Sequence, residues 1–173
     1  MRVLLCGAAG FTGRAVLEEL LAAGHTVRAW DLNPASWVDP PGIDDESVLT
    51  DPRCEIVHGS IADFDLAQEY VQGCDAVVHT TILFQGDGGG APGQFAADIN
   101  HAELPWIVNL KGLWNILECA HQAGCSRVVH VGSCQHEWPG VAHLAGKEGP
   151  GSEFFSADVR RPDVSQYAVH KRL

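Results

Sequence analysis

The chain has 173 residues, 46% hydrophobic and 19% charged, and its 22 acidic against 11 basic side chains leave a formal net charge of −11. A chain of this size buries roughly 68–70% of the surface its unfolded form exposes, so no disulfide or metal staple is needed, and disorder, collagen and small knotted scaffolds are excluded. The acidic balance argues against nucleic acid and against an anionic membrane surface, both of which would be repelled at long range. No apolar run approaches the ~20 residues of a membrane span and Met1 to Ala9 is too short for a cleavable signal, so a cytoplasmic protein is expected. Six cysteines are scattered without a C-x-x-C pair and read as buried reduced thiols. Among them, Cys119 and Cys125 with His121 come nearest to a cluster, but the nine histidines show no H-x-x-x-H or H-E-x-x-H spacing, so no metal site is expected.

Short apolar segments with β-branched content alternate with stretches of helical period, the mark of a parallel sheet with crossover helices. Arg2 to Cys6 is the first strand. A helix from about Thr12 to Ala23 follows, with Val16, Leu17, Leu20 and Leu21 on one face and Gly24 at its end. Thr26 to Trp30 is the second strand and completes a right-handed β-α-β unit. Asn33 to Pro52, rich in Pro, Asp and Ser, reads as a surface loop. Cys54 to His58 is the third strand, Asp63 to Gln72 a shorter helix, and Ala76 to Thr80 the fourth strand. Gln85 to Gly93, with five glycines and a proline, reads as a second loop. A long helix from about Leu104 to Gln122 sets Ile107, Leu110, Trp114 and Leu117 on one stripe, for which core packing is expected, with Gly124 just past its end. Arg127 to Gly132 is the fifth strand. Gln135 to Arg161 is a third loop, expected as a flap over the strands' carboxyl ends, and a last helix starts at Pro162 and Asp163. Residues 1–173 read as one domain, three-layer α/β, with a doubly wound parallel sheet in the order 3-2-1-4-5.

The loop Gly7-Ala8-Ala9-Gly10-Phe11-Thr12-Gly13 places a G-x-x-G-x-x-G between a strand and a helix. There Gly7 permits the tight turn, Gly10 lets backbone approach a diphosphate, Gly13 allows close helix packing, and the free N–H groups and helix dipole favour negative charge. Gly7, Gly10, Phe11, Thr12 and Gly13 are therefore candidate cofactor-binding residues. Asp31, 18 residues past Gly13, lies at the end of the second strand, where it could accept hydrogen bonds from an adenosine ribose and repel a 2′-phosphate, favouring NAD over NADP. The competing reading is that Asp31 merely caps the turn into Asn33-Pro34. Ser133 ends the fifth strand, and Tyr167-x-x-x-Lys171 puts two side chains on one face of the last helix. A lysine beside a tyrosine hydroxyl stabilises phenolate, and the serine hydroxyl can hold a substrate oxygen next to it.

Five motifs in this order resemble the short-chain dehydrogenase/reductases, in particular their extended branch of NAD-dependent epimerases and dehydratases. They are Gly7-x-x-Gly10-x-x-Gly13, Asp75-Ala-Val-Val-His79, Val108-Asn109-Leu-Lys-Gly112-Leu-Trp-Asn115, Arg127-Val-Val-His-Val-Gly-Ser133 and Tyr167-x-x-x-Lys171. The resemblance implies that Tyr167 is the general acid/base, that Lys171 tunes it and binds the nicotinamide ribose, and that Ser133 orients the substrate oxygen. Asn109 takes the family's helix position, with a structural or proton-relay role. Ser60 and Ile61 fall where the family often has Asp and a hydrophobic residue against the adenine, and the acid is absent here. His79, Thr80 and Thr81 replace a more usual small apolar pair and put polar groups near the cofactor.

Relatives continue beyond the Y-x-x-x-K helix with further strands and a substrate-holding region, whereas this chain stops two residues after Lys171, so it is expected to lack the last strands and that region. The implied function is an NAD-dependent oxidoreductase acting on a hydroxyl or carbonyl of a small molecule, such as a sugar or sugar nucleotide. The alternative is a truncated dinucleotide-binding module without turnover, serving as a sensor, partner subunit or remnant. Relatives pair through two helices, here about 104–122 and 163–173, so a homodimer is a further expectation.

Overall fold

Strands β1 (Arg2–Cys6), β2 (Thr26–Asp31), β3 (Cys54–His58), β4 (Ala76–His79) and β5 (Arg127–His130) form one parallel sheet in the order β3-β2-β1-β4-β5, as the sequence predicts. The computed structural model describes residues 1–32, 37, 47–83 and 104–132. All of these but Gly132 belong to one compact unit, Met1–Val131. The expected loops at 85–93 and 135–161, the last helix, and with them Ser133, Cys134, Tyr167 and Lys171, lie outside the described residues. No helix among the described residues is long and apolar enough to cross a membrane.

The strand ends differ from expectation by a residue or two. β2 runs on to Asp31, which pairs in register with His58. β4 stops at His79 rather than Thr80, although the Thr80 N–H still donates to the Cys6 carbonyl at 2.9 Å and its hydroxyl donates to the same oxygen at 2.8 Å. β5 ends at His130 rather than Gly132, although the Val131 N–H still donates to the His79 carbonyl at 3.0 Å.

Helix α1 (Phe11–Ala22) carries β1 into β2 and buries Leu17 and Leu21, with Val16 and Leu20 packed beside them. Within the stretch expected to be loop, Ser47–Thr50 instead forms a short helix, α2, whose Val48 and Leu49 pack on the same layer, as does the buried Trp37. Three apolar residues scattered among Pro, Asp and Ser carry no periodic signal, which is why composition hides them. Helix α3 (Phe64–Val71) starts at Asp63, whose carboxylate accepts from the N–H groups of Asp65 and Leu66, a local cap that holds its first turn.

The predicted helix over 104–122 is continuous but mixed: α4 (Leu104–Trp106), a π-helical stretch Ile107–Lys111, and α5 (Gly112–Gln122). In the π stretch the Gly112 N–H donates to the Ile107 carbonyl, five residues back. The expected buried stripe is corrected here. Ile107, Trp114 and Leu117 are exposed and Leu110 is half-buried, while the face turned inward carries Asn109, Gly112, Asn115, Ile116, Cys119 and Ala120. Small and polar side chains permit a closer approach than Trp or Leu would: a Cβ on Gly112 would sit 2.5 Å from the Ile61 side chain.

The sheet is covered on both faces. Leu4, Cys6, Trp30 and Val77 meet α3 and α5 on one side, and Leu5, Val27 and Ala29 meet α1 on the other, the alternation that a pleated strand imposes. Chain order reverses between β1 and β4, so the crevice of such a sheet opens at their carboxyl ends.

Candidate functional site

Two turns meet at that crevice. Gly7, at the tip of β1, has φ +80, and a Cβ on it would lie 2.8 Å from both the Thr80 hydroxyl oxygen and the Thr81 nitrogen, so only glycine fits between the tips of β1 and β4. The Thr80 hydroxyl also lies 3.1 Å from the Gly7 carbonyl, tying the β4 tip to the turn. A Cβ on Gly13 would fall 1.9 Å from the Gly7 carbonyl oxygen, which fixes how tightly α1 sits on the turn. Gly10 is different: its Cβ would meet only the Gly7 carbonyl, at 3.4 Å, and the residue is exposed, so the space beside it is open. Gly10 is the N-cap of α1 and supplies no side-chain cap, and no acidic side chain stands in the first turn. The helix thus begins with uncapped backbone donors behind an open glycine, an arrangement that fits a diphosphate. Phe11 and Thr12 are exposed at this end, Phe11 at 89%.

Asp31, at the end of β2, is tied to the glycine turn. One carboxylate oxygen accepts from the Ala9 N–H at 2.9 Å and the other from the Leu32 N–H at 2.8 Å. It thus bonds its own turn and the glycine loop at once. Each oxygen keeps a second acceptor position that a ribose hydroxyl could use. Ser60 and Ile61 follow β3. The Ser60 hydroxyl accepts from the Ala62 N–H at 3.2 Å, and Ile61 is buried, with its carbonyl accepting from Asn115 Nδ2 at 3.0 Å.

Asn109 is buried in the π stretch and grips the segment after β4 at both ends of one residue, accepting from the Leu83 N–H at 2.7 Å and donating to the Leu83 carbonyl at 2.9 Å. His79 is also buried, and its Nδ1 lies 3.0 Å from Nδ1 of His130 on β5. The sequence reading missed His130, Asn115 and Arg14 as site residues. Arg14, buried in the first turn of α1, donates to the Trp37 carbonyl at 2.8 Å and stacks 5.6 Å from the Trp37 ring centre. Asn115 and His130 stand inside motifs that the sequence displays, but their partners are distant along the chain. Burial makes two thiols inert in character: it pushes the Cys6 thiol, at the tip of β1, well above its ordinary range, and at the opposite end of the sheet it raises Cys54 to about 11.

The sequence profile of the NAD dependent epimerase/dehydratase family matches residues 3–173. The chain belongs to that family. Within the family, it is 30% identical over 132 residues to a 3 beta-hydroxysteroid dehydrogenase/Delta 5→4-isomerase of Mycobacterium tuberculosis, covering 76% of this chain and 31% of that protein. The chain thus spans about a third of the length of the curated relatives it matches. Among solved structures it resembles uronate dehydrogenase from Agrobacterium tumefaciens at 30% identity and a TM-score of 0.62, covering 98% of this chain and 51% of that one. It also resembles a dTDP-glucose 4,6-dehydratase double mutant from Streptomyces venezuelae, solved with NAD bound, at 27% identity and a TM-score of 0.68, covering 99% and 48%.

Proposed function

We propose that the chain binds NAD and belongs to an oxidoreductase of the epimerase/dehydratase type acting on a hydroxyl or carbonyl of a small molecule, a sugar or sugar nucleotide in particular, with residues 1–173 forming one dinucleotide-binding domain. The observation that carries this reading is the turn at Gly7, which leaves no room for a side chain, set before the uncapped start of α1 and hydrogen-bonded to Asp31. Gly7, Gly10, Phe11, Thr12 and Gly13 hold the diphosphate through backbone donors, Asp31 holds the adenosine ribose, and Ser60 and Ile61 border the adenine. The Asp31 carboxylate disfavours a 2′-phosphate, so NAD is preferred over NADP. His79, Thr80 and Thr81 border the nicotinamide half.

Bound NAD would supply the hydride acceptor. In that reaction Tyr167 takes the proton of the substrate hydroxyl as the carbonyl forms, Lys171 lowers the Tyr167 pKa and holds the nicotinamide ribose, Ser133 orients the substrate oxygen, and Asn109 supports the site from the helix. The names of the similar proteins, a steroid dehydrogenase, a uronate dehydrogenase and a nucleotide-sugar dehydratase, support hydroxyl or carbonyl chemistry. Free thiols at Cys6, Cys54, Cys74, Cys119 and Cys125 support a reducing, cytoplasmic setting. Pairing of two copies through helices 104–122 and 163–173 belongs to the same reading, and the exposure of Trp106, Ile107, Trp114 and Leu117 supports it.

Calorimetric titration with NAD and NADP tests the cofactor. NAD should bind at least roughly tenfold tighter, and Asp31→Ser should erase most of that preference; absence of binding by either nucleotide overturns the reading. Turnover of uronates and nucleotide sugars, with Tyr167→Phe as control, tests the chemistry: a rate lost in the variant supports it, while no rate in either protein leaves a binding module.

A further inference from the structure

The turn that follows β3 is tied down at almost every polar backbone atom. The Gly59 N–H donates to the Asp31 carbonyl at 3.0 Å, and the Gly59 carbonyl accepts from Trp30 Nε1 at 2.8 Å. The Ser60 carbonyl accepts from the Asp63 N–H at 3.0 Å, the Ala62 N–H is spent on the Ser60 hydroxyl, and the Ile61 carbonyl is held by Asn115. Two donors are left over. Among the described residues neither the Ser60 nor the Ile61 N–H has a hydrogen-bond partner. Ile61 is only 5% exposed, and a backbone N–H in so buried a residue is almost always paired, so a free one points to an acceptor brought by a ligand. The bond from Asp63 to the Ser60 carbonyl also sets its direction: in a planar trans peptide the Ile61 N–H of the same unit points the opposite way, away from the start of α3.

Asn115 fixes the next peptide unit at a cost. It is fully buried on α5, one turn after the Gly112 on which the Ile61 side chain sits, and while its Nδ2 donates to the Ile61 carbonyl at 3.0 Å its Oδ1 has no partner. A leucine of similar size would leave no such atom unpaired, so packing alone does not account for an asparagine here. We propose that Asn115 is a positioning residue that, through the Ile61 carbonyl, aims the Ile61 N–H at N1 of the cofactor's base and so makes the site selective for adenine over hypoxanthine. The base in question is the one carried by the ribose at Asp31, so this rests on the NAD reading given above.

The two groups that border the base differ in kind. The Ser60 hydroxyl already accepts from Ala62 and keeps one proton and one lone pair, so it can turn to meet either an amino or an oxo group. A backbone N–H has no such choice. It only donates, and adenine offers it a bare nitrogen at N1 where hypoxanthine offers another N–H. Selection of the base therefore falls to the Ile61 amide, and the aim of that amide falls to Asn115.

The test is calorimetric titration of the intact chain with NAD, NADP and the NAD analogue that carries hypoxanthine in place of adenine. The parent chain should bind NAD at least roughly tenfold tighter than the analogue, since one hydrogen bond is replaced by two donors facing each other. Asn115→Leu should bring the two within about threefold, while leaving the preference for NAD over NADP, which Asp31 sets, where it was. Asn115→Ser, smaller and still polar, should narrow the base ratio in the same direction, and Ser60→Ala should weaken both dinucleotides alike. A measurement that needs no variant follows the Ile61 amide by NMR in the parent chain: NAD should move its proton downfield and slow its exchange, and the analogue should do neither. An unchanged base ratio in the Asn115 variants, a loss of NADP discrimination in step with it, or an Ile61 amide that responds alike to both dinucleotides would overturn the proposal. NAD bound with the Ile61 amide unmoved sinks the base assignment and leaves the cofactor reading standing, whereas no binding of any dinucleotide overturns both.

Discussion

A methyl group on Gly13 would sit 1.9 Å from the Gly7 carbonyl oxygen, with the Ala8 Cα at 2.8 Å, so Gly13→Ala must push α1 away from the turn. We expect that variant to lose about 1–3 kcal/mol of stability in urea unfolding and to bind NAD more weakly in calorimetry. Gly10→Ala is its control, because the added methyl meets the protein only at 3.4 Å. It should leave stability within about 1 kcal/mol while still weakening NAD binding, since in the proposed reading the diphosphate approaches the backbone at this open glycine. These glycines were legible in the sequence because their requirement is local: one turn, one helix start, fixed spacing. What the turn is bonded to was not legible. The Ala9 to Asp31 bond joins residues 22 apart and the His79 to His130 contact joins residues 51 apart, and no spacing rule announces either.

Asn109 satisfies both backbone groups of Leu83 from within the π stretch. Asn109→Leu would leave a part-buried N–H and carbonyl without that partner, so we expect a loss of about 1–3 kcal/mol, with hydrogen exchange of the Leu83 amide accelerated beyond that of the β1 amides. Among the described residues the strands and the longer helices were readable in order, but the short α2 and the buried face of the 104–122 helix were not. Its π stretch breaks the 3.6-residue phase, and its inner face is small and polar, so the hydropathy stripe points the wrong way. A second element-level feature lies at the amino end of the sheet, where Arg2 on β1 and Arg28 on β2 both bond the Glu55 carboxylate of β3. Hydrogen bonds from Arg28 first and Arg2 second hold that carboxyl below the ordinary glutamate range. Its contribution to stability is therefore complete above the unfolded-state pKa and fades as pH falls through the lower folded value. Glu55 is partly exposed, so Glu55→Gln should cost about 0.5–1 kcal/mol near neutrality, and the difference should vanish in strongly acidic unfolding titrations.

Trp114 is 57% exposed on the outer side of α5, touching only the Phe64 ring closely among aromatic groups described, at 6.2 Å between ring centres. If two copies pair there, Trp114→Glu should convert a dimer to a monomer in sedimentation while unfolding within about 1 kcal/mol of the parent chain; a parent chain that sediments as a monomer at micromolar concentration removes the pairing. The family, the parallel sheet and its strand order were all readable from five motifs, because order along the chain is itself a strong constraint. The strand order also governs how the molecule is made. β1 pairs with β2 almost at once, but its other edge waits for β4, and Arg2 bonds Asp75 across 73 positions. On a ribosome adding roughly 5–20 residues per second, several seconds pass in which β1 has one neighbour and one bare flank. During synthesis the nascent chain is thus most exposed to mispairing at the very strand that ends up deepest, and a chaperone able to hold extended apolar segments would find its target there.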